Sequence, residues 1–199
     1  MSTELSIIEQ VANSKLSLPD TSELLKALLQ LEKNARQEKK EYSLADLEGC
    51  WSLRFITGTK KARNRAGIVL GAGKYIPRLI NIKINYENNS ESNVNTGRVK
   101  NQVRLGLVDL SLTGPVQFIA LKNILAFDFT HLEVKLLGLT LYDGYIKGGL
   151  KRETKFYDTK LKDRAFFSYF LIKDKAIAAR GKGGGLALWV RDDDNSMIT

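Results

Sequence analysis

The chain carries one cysteine, Cys50, and one histidine, His131, in 199 residues. A lone thiol excludes an internal disulfide and points to a reducing compartment. Cys50 lies in an apolar run and reads as a buried, inert thiol. With a single histidine, any Ser-His-Asp or Cys-His machinery would have to use His131, and no G-x-S-x-G motif accompanies it. There is no H-E-x-x-H, no paired C-x-x-C and no acidic calcium loop, so a metal site is not expected. A phosphate loop fails on spacing. Gly73-Lys74 would need a glycine where Ile68 stands and a hydroxyl where Tyr75 stands. No catalytic residue, metal or cofactor is therefore predicted, and the chain reads as a non-enzyme.

Long apolar runs are missing too. None approaches the ~18 residues that a membrane span requires, and the longest, 116–121 and 165–172, suit buried strands. Met1-Ser2-Thr3-Glu4 offers neither a basic n-region nor an apolar h-region, so no secretory signal or transit peptide is expected and the location reads as cytoplasmic. Acidic residues are the minority, 22 against 31 Lys and Arg, for a formal charge of +9. That excess favours anionic partners. Its densest cluster supplies Lys60, Lys61, Arg63 and Arg65 as candidates for docking on an anionic membrane, each contributing about 1 kcal/mol near the surface. Nucleic acid is not an expected partner, because no recognition helix or RNP-type aromatic motif accompanies the charge.

What is present changes period near residue 45. Before it, Leu5, Ile8 and Ala12 form a weak helical stripe. Leu24, Leu28, Leu31 and Ala35 form a stronger one, opened by Asp20 with Glu23 three residues later as in a capping box. From residue 47 onward the period is two. Trp51, Leu53 and Phe55 alternate with Ser52 and Arg54. Ile80, Ile82, Ile84 and Tyr86 share a face, as do Leu132, Val134 and Leu136. About eight to ten short segments with Gly- and Asn-rich turns predict an antiparallel barrel, and Gly181 to Gly185 reads as one such turn. No helical pattern of ~10–15 residues separates successive strands, which disfavours a parallel α/β sheet. The predicted organisation is a helical extension over 1–44, a barrel over 45–191 and an acidic tail over 192–199. In segment 165–172, Phe166, Phe170 and Ile172 alternate with Phe167, Tyr169 and Leu171. A strand apolar on both faces needs an interior on one side and a cover on the other. The Leu-rich helix at 23–35 is the expected cover.

Gly49-Cys50-Trp51 at the first strand, with Arg180-Gly181 near the last, resembles the barrel-closing pair of the lipocalins, in which an arginine packs across a tryptophan. Leu47-x-Gly49-x-Trp51-x-Leu53-x-Phe55-x-Thr57 after a Leu-rich helix is similar to the opening of the plastid lipid-associated protein (fibrillin) family. Tyr169, then Arg180-Gly181-x-Gly183-Gly184 running into Leu186-Ala187-Leu188-Trp189-Val190, is similar to that family's closing segment. The chain departs from the family pattern at Lys182, where an acid is usual, and at Ile177, where an arginine is usual. The resemblance, closest to cyanobacterial-type members, implies a lipocalin-like barrel. It also implies carriage of a lipid, carotenoid or quinone near photosynthetic membranes or lipid globules, with peripheral contact to anionic lipid. Along the interior it would place Trp51, Leu53, Phe55, Phe118, Phe167 and Tyr169, with Trp51 and Arg180 as the closing pair. Two alternatives stay open. One is a bilin lyase using Arg63, Arg65 or Arg78 for tetrapyrrole propionates; the other is a membrane-coating protein whose barrel is filled.

Overall fold

The computed structural model describes residues 2–13, 16–38, 40–58, 73–77, 79–89 and 95–192. Two helices come first, α1 (Thr3–Ala12) and α2 (Thr21–Glu38). Ser2 caps α1 by accepting the Leu5 N–H, and the Asp20 carboxylate accepts the Ser22 N–H at 2.8 Å to open α2. That bond, with one from the Ser22 hydroxyl, holds the Asp20 carboxyl below its ordinary range.

Eight strands close into a barrel. They are β1 (Gly49–Ile56), β3 (Ile80–Asn88), β4 (Thr96–Leu105), β5 (Val108–Ile119), β6 (Ile124–Phe127), β9 (Ala165–Lys173), β10 (Ala176–Gly181) and β11 (Leu186–Arg191). Each pairs antiparallel with the next in this order, and β11 pairs with β1 to complete the ring. This is the up-and-down closure of the lipocalin-like barrels, which removes sheet edges by joining the first strand to the last. Outside the ring, β2 (Lys74–Tyr75) pairs with the end of β1, and the hairpin β7 (His131–Leu136) and β8 (Leu139–Tyr145) pairs with the first half of β5. A short helix α3 (Gly149–Thr154) follows.

The barrel wall is apolar on both sides where the helices lie. Its interior packs Trp51, Tyr86, Val116, Phe118, Leu125, Phe127, Tyr169, Ile177 and Trp189 into one cluster. Ile8 and Val11 of α1, with Leu24, Leu28 and Leu31 of α2, pack on the outside against Phe170, Leu171, Ala178, Leu188 and Val190. The expected cover is therefore in place: the leucine stripe of α2 lies over β9, and α1 lies over β10 and β11.

Two irregularities in the ladders overturn expected side-chain positions. On β1 the register against β11 shifts between Leu53 and Phe55. An extra residue reverses every later side chain. Phe55 therefore leaves the interior that Trp51 and Leu53 face and packs beneath the helices. On β9 a second shift falls opposite Ala178 and Ala179. Phe170 and Leu171 both face the helices, while Ile172 joins Tyr169 inside. Strict alternation had put Phe170 with Ile172 and Leu171 with Tyr169.

Candidate functional site

One end of the barrel is sealed. Leu44 and Leu47, around a 3-10 turn over Ala45–Leu47, are fully buried against the interior cluster. Trp51 is completely enclosed, and its Nε1 donates to the Leu47 carbonyl at 2.7 Å. The guanidinium over its ring belongs to Arg191, 4.0 Å from the ring centroid, and not to Arg180. Register decides this: Trp51 stands opposite Arg191 in the β1–β11 ladder, whereas Arg180 stands opposite Leu186. Arg191 is anchored by donating to the carbonyls of Asp174 and Glu48. Gly49 fits this corner for two reasons. Its φ is +112°, and a Cβ there would sit 2.7 Å from Arg191 Nη1.

Arg180 turns outward instead. It grips the Glu32 carboxylate of α2 with Nε at 2.7 Å and Nη2 at 2.5 Å, and donates to the Gly184 carbonyl. The hydrogen bonds from Arg180 hold the Glu32 carboxyl below its ordinary range against the opposing effect of burial. This clamp ties helix to hairpin.

The middle of the barrel is aromatic. Phe127 stacks on Phe167 at 4.9 Å, Phe167 meets Trp189 edge-on at 5.3 Å, and Tyr169 lies beside Trp189. The hydroxyls of Tyr86 and Tyr169 share one hydrogen bond of 2.7 Å, and burial drives both phenols well above their ordinary pKa. Of the six residues expected to line the interior, Trp51, Leu53, Phe118, Phe167 and Tyr169 come together here, and Phe55 does not. Tyr86 shares a face with Ile80, Ile82 and Ile84 in the sequence but was not among the interior candidates, because one tyrosine among isoleucines reads as ordinary strand.

The other end carries a feature that sequence reasoning missed. Beyond the ring, β3, β4, β5, β7 and β8 continue as a five-stranded lip, since residues 108–113 of β5, paired with β4 on one side, pair on the other with β7 rather than with β6. Cross-strand partners share a face. Reading across the lip, one row is Ile80, Leu105, Val108, Leu136 and Leu139. The next is Ile82, Val103, Leu110, Val134 and Tyr142. None of these ten residues is buried. The reverse face reads Asn81, Arg104, Asp109, Lys135 and Thr140, with Arg104–Asp109 at 2.5 Å and Lys135–Glu133 at 2.8 Å as ion pairs. The aliphatic rows run into the barrel interior through Ile84 to Tyr86 and Val99. A partly water-exposed apolar shelf thus leads from the mouth to the aromatic core. The alternation that builds it was visible in Leu132, Val134 and Leu136; its exposure was not.

A cleft beside the shelf, with Leu53, Ile80 and Ile82 in its wall, opens where β1 leaves β3 to pair with β2. It is lined by residues including Ser52, Arg54, Asn81, Lys83 and Asp192 and holds about 200 Å³, below the ~300–1,000 Å³ usual for small-molecule sites. Lys83 and Ser52 both bond the Asp192 carboxylate there, at 2.6 and 2.8 Å. Cys50 is half-buried rather than fully enclosed. Burial, and secondarily the Asp192 carboxylate, push its thiol above the ordinary range, which disfavours the nucleophilic thiolate. His131 lies on the polar face of the lip, 3.4 Å from Asp143 and edge-on to Tyr145. Among the described residues no group of three or more His, Cys, Asp or Glu is arranged to hold a metal, and no helix is long and apolar enough to cross a membrane. Lys60, Lys61, Arg63, Arg65 and Arg78, and positions 193–199 of the acidic tail, lie outside the described residues.

The fold and this geometry define an eight-stranded antiparallel barrel with a sealed base, an aromatic interior and an apolar mouth. No family model and no curated protein matches the chain. Among solved structures it is similar to a redesigned β-barrel at 10% identity and a TM-score of 0.37, with 76% of this chain and 96% of that chain covered. A likeness that distant carries no argument about what the chain does.

Proposed function

We propose that this chain is a non-enzymatic binder or carrier of a hydrophobic small molecule. The family resemblance in the sequence suggests a lipid, carotenoid or quinone, handled in association with photosynthetic membranes from the cytoplasmic side. The observation that carries the reading is the aliphatic shelf running from the mouth toward the aromatic interior. Apolar surface of this extent, open on one face and backed by paired charges, is costly to leave in water and is offset when an apolar ligand covers it. Eight-stranded barrels are either filled by side chains or hold one small ligand. The shared Tyr86–Tyr169 hydrogen bond uses only one of two phenol protons. The other is a handle for a ligand oxygen that reaches the core.

Gentle purification, organic extraction and mass spectrometry test the proposal. An apolar molecule near one equivalent per chain supports it, and a clean extract from protein never exposed to detergent rejects it. The dense aromatic contacts of the interior also favour a second reading, a barrel filled by its own side chains that acts by surface contact alone. An empty extract together with unchanged intrinsic tryptophan fluorescence on adding quinone or carotenoid would select it.

A further inference from the structure

We infer that the paired hairpin tips of the lip are a lipid-inserting element that seats the barrel mouth on an anionic membrane surface. The claim goes beyond ligand carriage and stands on the tips themselves. The β4–β5 and β7–β8 turns lie side by side, with the Leu137 N–H donating to the Leu107 carbonyl at 2.9 Å. Around them Leu105, Leu107, Leu137 and Leu139 are 47%, 63%, 67% and 71% exposed, and Leu79, next to the Ile80–Leu105 pair, is 91% exposed. Tight turns normally recruit Gly, Asn, Asp or Ser. Here Gly106 and Gly138 meet the backbone requirement with φ of +59° and +82°, and leucine occupies the positions around them.

Leu137 adds to the case. Its φ of +53° lies in the left-handed region, where asparagine or glycine rests with less strain. A leucine held there, pointing into water, gains nothing from the fold that exposes it. A Cβ added at Gly106 or Gly138 would meet nothing within 4 Å, so the tips project clear of the body.

A lipid surface fits this element better than a protein partner does. The tips are convex and would need a matching groove on a protein, whereas hydrocarbon conforms to them. The nearest charges, Arg104 with Asp109 and Lys135 with Glu133, are already paired, so insertion strips no lone ion of water. The chain's net charge of +9 selects anionic headgroups for the approach. Insertion by the tips would hold the aliphatic shelf at the headgroup boundary, where an apolar molecule could pass between bilayer and barrel without crossing water.

The test compares the full chain with its Leu107→Asn/Leu137→Asn double variant in flotation with phosphatidylcholine vesicles containing about one-third phosphatidylglycerol, in low salt and in about 0.5 M salt. Asparagine tolerates the left-handed turn, so the variant should keep the wild-type melting temperature. The expected result is flotation of the wild type, weakened but not abolished by salt, and about tenfold or greater loss of bound fraction in the variant at both salts. Equal flotation of variant and wild type would overturn the inference by assigning docking to charge alone. So would a wild type that stays unbound, or one that is dimeric and becomes monomeric in the variant, since the leucines would then serve self-association. Organic extraction of the same preparations separates this inference from the carriage proposal. Bound ligand without flotation defeats only the docking, and flotation with an empty extract defeats only the carriage.

Discussion

At one end of the barrel Leu44 and Leu47 have no exposed surface; at the other, Leu105, Leu107, Leu136 and Leu139 are 39–71% exposed. The residue type is the same: Leu44 and Leu47 flank a 3-10 turn that leads into β1, and the mouth leucines flank hairpin turns. What differs is how the described chain packs over them. At the base, residues 40–47 return across the barrel, tied to Asn123, which donates to the Lys40 carbonyl and accepts the Tyr42 N–H. At the mouth, β5 outgrows the ring and acquires the β7–β8 hairpin beside it, and the leucines there keep much of their surface. Apolar side chains at the first end stabilise the fold. At the second they are left for something outside it.

The comparison breaks if substitutions at the two ends cost the same. Trp51→Ala at the base should lose about 3–5 kcal/mol in chemical denaturation, the range for removing a fully buried aromatic side chain. A loss under about 1 kcal/mol would mean that the base is not core. Gly49→Ala should cost about 1–3 kcal/mol from the positive φ alone. It should also displace Arg191 from the indole, so the emission of Trp51 should shift; unchanged stability and emission would refute the account of that corner.

Between the ends, Glu32→Gln should cost about 1–2 kcal/mol near neutral pH by removing a charged, two-pronged bond to Arg180. The pH dependence has a definite sign. Glu32 titrates below its ordinary value in the folded chain, so its contribution is complete above the ordinary carboxylate range and disappears as pH falls through the depressed value. Denaturation curves of wild type and variant should therefore converge in acid, and a gap that widens there would rule the clamp out. Smallest of all, Leu139→Asn at the mouth should move stability by less than about 0.5 kcal/mol. A loss of about 2 kcal/mol or more would show that the shelf is ordinary core.

The alternation pointed to the right kind of architecture, yet strict stepping by two misplaced side chains on β1 and β9, and a familiar-looking segment misassigned the arginine. Phe55 was placed inside because Trp51, Leu53 and Phe55 step by two, and a bulge at Arg54 breaks that step. Arg180 was chosen to close the base because it precedes a glycine in a familiar-looking segment, while the partner of Trp51 depends on which strands meet and in what register. Glu32 gave no warning of its role, since a glutamate within a helix reads as solvated until the strand beneath it supplies an arginine. The shelf was half legible. Its apolar rows repeat with period two like any buried strand, and exposure depends on neighbours far along the chain.

Local chemistry alone determined where the chain is helical and where it is extended, because side-chain period and turn residues act over a few positions. It also determined that an apolar helix stripe would need an apolar wall to lie on. The tertiary structure alone decided which arginine reaches the indole, which aromatic residues meet inside, and which end of the barrel carries the exposed apolar lip. Those outcomes depend on bulges and on strand pairings between distant residues, and a single inserted residue reverses the face that a side chain presents.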